Sequence, residues 1–168
     1  MRLFVGLYPP QAVLQDLPRR SGREHLTLAF LGEVDDPARL LVALGAVERH
    51  PAPLLRLAGA GRFRGGAVWL GLRGELDRLH RLHDAVQDAV EASGLPRAVE
   101  QWRPHLTIGR ARAVPAALQS YEGPEAAWRD VALVHSTLTR QGAVHVPLRT
   151  WRLPHASGAA APNEQPPG

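Results

Sequence analysis

Three observations predict an α+β fold of two similar lobes, mainly antiparallel sheet with helices on the outside, for this 168-residue chain. Short segments of strand-like alternation are interleaved with segments whose apolar residues recur every three or four positions. The tetrapeptide His-Leu-Thr-aliphatic occurs twice, at His25–Leu28 and His105–Ile108. Each copy also closes the same succession: strand RLFVGLY, helix and strand HLTLAFLG in the first half, strand AVWLGL, helix and strand HLTIGRA in the second. Two similar halves of this kind pack about a pseudo-twofold axis, with a cleft between them.

The elements follow in order. RLFVGLY (Arg2 to Tyr8) is apolar and aromatic and stops at Pro9-Pro10, as a buried strand does before a helix start. QAVLQDL (Gln11 to Leu17) is long enough for about two helical turns. HLTLAFLG is a strand ended by Gly32, and Asp36 before Pro37 suits the N-cap and first position of a helix running through ARLLVALGAVE. APLLRLAGAGRF and AVWLGLRG read as two strands. In ELDRLHRLHDAVQDAVEASG (Glu75 to Gly94), Leu76, Leu79, Leu82, Val86 and Val90 keep helical spacing and Gly94 can close the helix. After HLTIGRA, the segments ALVHSTLT and AVHVPLRTWRL alternate around RQGA as a hairpin. One domain over residues 1–153 is expected, and 154–168, PHASGAAAPNEQPPG, has little to bury and is expected to be a disordered tail.

Composition narrows the function classes. All 20 basic residues are arginine and exceed the 16 acids, a formal charge of +4 that favours an anionic or nucleic-acid substrate. The absence of cysteine excludes a disulfide framework, a Cys-ligated zinc and a thiol nucleophile. His, Asp, Glu, Ser and Thr must therefore carry any chemistry. The apolar stretch near the start is too short for a signal-peptide core and no run of about 18 apolar residues occurs, so the chain reads as a cytoplasmic protein with no membrane partner.

Chance does not account for the repeated motif. With eight histidines and five threonines in the chain, about 0.1 matches to His-x-Thr-apolar are expected, and two arise in well under ~1% of such sequences. Side chains alternate along a strand, so His25 and Thr27 share one face while Leu26 and Leu28 anchor the other, and His105, Thr107, Leu106 and Ile108 repeat the arrangement. Brought together across a cleft, two imidazoles can divide acid and base work near neutral pH. The two hydroxyls can donate to the non-bridging oxygens of a phosphate held between them. That constellation points to phosphodiester cleavage without a metal, and no cofactor is called for.

The paired motifs resemble the H-x-T-x signature of the 2H phosphoesterase superfamily. HLTLAFLGEV, GRFRGGAVWLGL and RPHLTIGR further resemble its bacterial RNA 2′,3′-cyclic phosphodiesterase branch, the LigT-like or 2′-5′ RNA ligase family, in order from RLFVGLYPP to about Leu153. The resemblance implies a bilobal fold and an active-site quartet of His25, Thr27, His105 and Thr107. It implies hydrolysis of 2′,3′-cyclic phosphate ends of RNA, or of nucleoside 2′,3′-cyclic phosphates, to 2′-phosphates by a metal-independent monomer, with reverse 2′-5′ ligation from the same site. In that scheme His25 is the general acid and His105 the general base. Glu24 stands where members carry an apolar or amide residue, and the segment between Tyr8-Pro9-Pro10 and His25 is short, so RRSGRE is expected to shape the cleft mouth in its own way.

Arg103 and Arg110 flank the second motif, and Arg62, Phe63 and Arg64 precede AVWLGL. Arg103, Arg110, Arg62 and Phe63 are the substrate-binding candidates, the arginines for phosphates and the ring for a base, against the plainer readings of solvated surface for the arginines and core or strand edge for the ring. Trp102 and Tyr8 are weaker stacking candidates that read as core or strand edge. His80 and His83, at i and i+3 on the long helix, lack further ligands and read as solvated or packed, not metal-binding. His135 and His145 read as sheet residues of the terminal hairpin, with lining the cleft as the lesser reading, and His50 and His155 as loop and tail. The alternatives are a 2H enzyme for another small cyclic or 2′-5′ nucleotide, a non-catalytic RNA-end-binding module, and a metallohydrolase, the last disfavoured by the lack of a carboxylate-histidine cluster.

Overall fold

The computed structural model describes residues 1–156. A single eight-stranded antiparallel sheet is built from β1 (Arg2–Tyr8), β2 (Leu26–Glu33), β3 (Leu54–Arg62), β4 (Ala67–Gly74), β5 (Leu106–Arg110), β6 (Ala126–Ala127), β7 (Asp130–Thr139) and β8 (Gly142–Arg152). The helices are α1 (Gln11–Asp16), α2 (Ala38–Leu44), α3 (Leu76–Ala92) and α4 (Ala116–Gln119), and a 3-10 turn over Gly45–Arg49 extends α2. The short β6 and α4 carry too few apolar residues to produce a periodic signal and were not expected.

Strand order is β6-β3-β4-β5-β2-β1-β7-β8. The pseudo-twofold axis passes between β5 and β2, exchanging β2 with β5, β1 with β4, β7 with β3 and β8 with β6. It also relates β1-α1-β2 to β4-α3-β5. Where β4 and β5 share four pairs, β2 and β5 share only Leu26↔Leu106. The sheet therefore parts at its middle, and the two halves are the two lobes of an α+β fold.

Burial explains which residues form the elements. Leu3, Val5 and Leu7 of β1, Leu26 and Leu28 of β2, and Leu106 and Ile108 of β5 point into one core, which Leu79, Leu82, Val86 and Val90 of α3 and Leu40 and Leu44 of α2 cover. The 3.6-residue stripe of α3 and the alternation of the strands thus meet in one apolar layer. Gly94, at φ +92°, closes α3 in the left-handed region, and the Leu95 N–H returns to the Val90 carbonyl at 3.2 Å. The start of α2 lies one residue later than expected: Pro37 is the N-cap, and Asp36 caps from outside by accepting the Ala38 N–H at 2.9 Å. On the opposite face of β1 and β7, Phe4, Ala132 and Val134 form a small second cluster with Tyr8.

Of the expected tail, Pro154 is still tied to the domain, its carbonyl accepting the Ala52 N–H at 2.8 Å. Residues 157–168 lie outside the described residues. Among the described residues no helix is long and apolar enough to cross a membrane.

Candidate active site

Both motif histidines stand one residue before their strands, where β2 and β5 are drawn together by the Leu26↔Leu106 pair. Continuing that antiparallel register sets His25 opposite Thr107 and Thr27 opposite His105, so each imidazole faces the other strand's hydroxyl. The leucines are fully buried. Their anchoring holds both pairs over a cavity of about 200 Å³ lined by His25, Thr27, His105, Thr107, Ser21, Arg23, Gly109, Ala143 and His145.

The two imidazoles are oriented alike. His25 Nδ1–H donates to the Arg23 carbonyl at 2.8 Å, and His105 Nδ1–H donates to the Arg103 carbonyl at 2.9 Å. A carbonyl only accepts, so the proton is placed on Nδ1 in both rings and each Nε2 is left for chemistry. Nε2 of His25 lies 3.1 Å from Thr27 Oγ1, while Nε2 of His105 has no partner among the described residues. His25 stacks on Phe4 at 4.6 Å between centroids, and Gly6 makes room for it: a Cβ there would stand 3.2 Å from the Phe4 and Tyr8 rings and 3.5 Å from His25 itself. Burial pulls the His25 pKa below the ordinary imidazole value; its bond to the Arg23 carbonyl opposes that shift, and His145 and His105 add to it.

The candidates outside the quartet separate. Phe63 meets His105 edge-on, ring centroids 5.0 Å apart, and is well exposed. Arg62 and Arg110 do not line the cavity: Arg62 Nε donates to the Ala111 carbonyl at 2.7 Å and Arg110 donates to the Gly65 carbonyl, so both brace the β3–β4 loop against the end of β5. Arg103 is exposed and serves the site through its carbonyl. Trp102 is turned away from the cavity; its ring stacks on His83 at 4.1 Å with His80 at its edge, and its Nε1–H donates to the Thr27 carbonyl at 3.0 Å. Among the described residues no group of three or more His, Cys, Asp or Glu is arranged to hold a metal ion.

Sequence reasoning expected RRSGRE at the cleft mouth without singling out Ser21 and Arg23, and gave His145 as a sheet residue with lining the cleft as the lesser reading; all three line the cavity. A signal for Arg23 was present, because the repeat extends upstream to Arg-x-His-Leu-Thr in both copies. Glu24 explains how its loop is shaped. Its side chain is buried, only 4% exposed, and its Oε1 accepts the Ser21 and Gly22 N–H groups, the latter at 3.1 Å. Burial alone raises a carboxyl pKa, but these bonds outweigh it and hold Glu24 below its usual value. The carboxylate thus folds residues 21–24 into a tight turn, and Arg23 Nη1 then reaches the Ala143 carbonyl at 2.9 Å and ties the turn to the β7–β8 hairpin.

A profile of the 2′-5′ RNA ligase superfamily matches residues 12–140. The chain belongs to that superfamily. It is 31% identical over 150 residues to the RNA 2′,3′-cyclic phosphodiesterase of Escherichia coli, covering 87% of this chain and 83% of that protein. It is 30% identical over 139 residues to the enzyme of the same name from Aeropyrum pernix, covering 74% and 78% respectively. Among solved structures, Escherichia coli LigT complexed with 3′-AMP superposes with a TM-score of 0.69 at 28% identity, over 90% of this chain and 97% of LigT. A structure described as a phosphoesterase superposes with a TM-score of 0.73 at 27% identity, over 92% and 99%. The superfamily's bilobal α+β architecture is therefore this chain's as well.

Proposed function

We propose that this chain is an RNA 2′,3′-cyclic phosphodiesterase that opens cyclic phosphate ends, or nucleoside 2′,3′-cyclic phosphates, to 2′-phosphates. The observation that carries the reading is the matched pair of imidazoles, each held through Nδ1–H by the carbonyl two residues before it, with Nε2 directed to one shared cavity, that of His25 on Thr27 Oγ1 and that of His105 without a partner among the described residues. The names of the relatives support the same activity. All four groups come from one chain, so the reading requires no partner subunit.

In the mechanism, Nε2 of His105, which has no competing partner among the described residues, takes a proton from water as its oxygen attacks phosphorus. The P–O3′ bond breaks in line, and His25 delivers a proton from Nε2 to the departing 3′ oxygen. Thr27 and Thr107 donate to the non-bridging oxygens, where charge accumulates. Burial favours neutral His25, and the substrate's negative charge restores the proton that the acid role needs. With a 5′-hydroxyl attacking in place of water, the same steps form a 2′-5′ linkage and release the 3′-hydroxyl. No step uses a metal.

Incubation with the four nucleoside 2′,3′-cyclic monophosphates and with a cyclic-phosphate-ended RNA, in the presence of excess EDTA, tests the reading. Release of 2′-phosphate products is expected. Exclusive turnover of other cyclic or 2′-5′ nucleotides would reassign the substrate, binding without turnover would leave an RNA-end-binding module, and activity lost to EDTA and restored by zinc or manganese would overturn the metal-free mechanism.

A further inference from the structure

The cavity contains a third imidazole. Pairing of Ser136 with His145 across β7 and β8 sets His145 on the cleft face, where its ring stands edge-on to His25 at 5.4 Å and to Phe4 at 5.0 Å between centroids. The Arg23 bond to the Ala143 carbonyl fixes the hairpin end that carries it. Unlike His25 and His105, His145 has no hydrogen bond to any described residue from either ring nitrogen, although it is half-buried and lines the cavity. Packing thus orients the ring while both nitrogens remain open to the cavity for a ligand to use.

Its location and charge select the part of the ligand it meets. It adjoins His25 and Phe4, whereas Phe63 adjoins His105. If His25 protonates the 3′ oxygen, the nucleoside hangs on the His25 side and the attacking water comes from the other. Burial and the Arg23 guanidinium both lower the His145 pKa, which favours a neutral ring with one donor and one acceptor nitrogen. A phosphoryl oxygen satisfies only the donor, while a base edge or a ribose oxygen and hydroxyl offer both kinds of partner.

We propose that His145 hydrogen-bonds the nucleoside of the bound nucleotide on the His25 side of the phosphate, and so aligns the 3′ oxygen with His25. The inference rests on the nucleotide-phosphodiesterase reading. Its test compares His145→Phe, which keeps an aromatic ring against Phe4 but loses both nitrogens, with His145→Gln, which keeps hydrogen bonding. Affinities for adenosine 2′-monophosphate and for inorganic phosphate are measured by calorimetry, with kcat and KM for adenosine 2′,3′-cyclic monophosphate. His145→Phe is expected to weaken nucleotide binding about 10-fold, the worth of one good hydrogen bond, and to lower kcat/KM by about 10-fold to 100-fold, about 10-fold through KM and the rest, the loss of alignment, through kcat. Phosphate affinity should stay within about twofold, and His145→Gln should recover most of the loss. Wild-type nucleotide affinity and kcat/KM in a folded His145→Phe protein overturns the proposal, as does an equal loss of phosphate affinity, which places His145 on the phosphoryl group. Should the wild-type protein bind the nucleotide without turning over the cyclic phosphate, the activity falls while the binding comparison still decides His145. A wild-type protein that binds neither probe overturns both.

Discussion

Replacing Glu24 by Gln isolates the turn that carries Ser21 and Arg23 into the cavity. The carboxylate accepts two backbone N–H groups, from Ser21 and Gly22, in a nearly solvent-free position. A hydrogen bond to a charged acceptor contributes about 1.5–3 kcal/mol against about 0.5–1.5 kcal/mol for a neutral one, so two bonds weakened by about 1 kcal/mol each cost about 2 kcal/mol. For a chain of this length that lowers Tm by about 4–8 °C. The pH dependence has a definite sign. The folded pKa of Glu24 is depressed, so the unfolded chain binds its proton more tightly. The stabilisation is fully present above the unfolded value of about 4.3 and is lost as pH falls through the folded value. Urea unfolding of both proteins at pH 7, 5, 4 and 3.5 should show a gap of about 2 kcal/mol at the first two and a shrinking gap at the others. Loosening of Arg23 should also lower kcat/KM several-fold. A gap below about 0.5 kcal/mol at pH 7, or one that does not narrow in acid, would refute the reasoning, because the carboxylate bonds would then not be stabilising the turn.

Other expectations concern the quartet and its surroundings. His25→Ala and His105→Ala should each lower turnover by about 10²-fold to 10⁴-fold, and the double mutant should be little worse than the poorer single one, since acid and base act as a unit; near-normal turnover in either folded single mutant rules out two-histidine catalysis. Thr27→Ala and Thr107→Ala should fall by about 10-fold to 10³-fold, each losing one donor to the phosphoryl oxygens. In an NMR titration the His25 midpoint should lie below about 6.5 in the free protein and rise when inorganic phosphate is bound; an unperturbed midpoint removes burial as the controlling influence. Trp102→Phe should destabilise the fold by about 1 kcal/mol, the bond from its Nε1–H to the Thr27 carbonyl being lost while the ring can still stack on His83, as urea unfolding measures.

What the sequence determined by itself is whatever repeats locally. Alternation put His25 and Thr27 on one face and Leu26 and Leu28 on the other, a helical stripe marked α3, and the recurrence of strand, helix and His-Leu-Thr implied two lobes, because these depend on residues a few positions apart. Their meeting over one cavity followed from that symmetry. Tertiary structure alone decided the remaining wall. His145 lies 120 residues from His25 and reaches it only because β7 pairs with β1 and carries β8 alongside. Arg62 and Arg110 looked equally able to grip phosphate, and in the fold one donor of each reaches a backbone carbonyl, a partner of which an arginine's local sequence carries no sign. Glu24 looked like an oddity beside a histidine, and only the closed turn reveals its carboxylate as the group that binds the turn together. Periodic burial is encoded within a segment, whereas the partner of a long polar side chain is set by which distant backbone the fold brings to it.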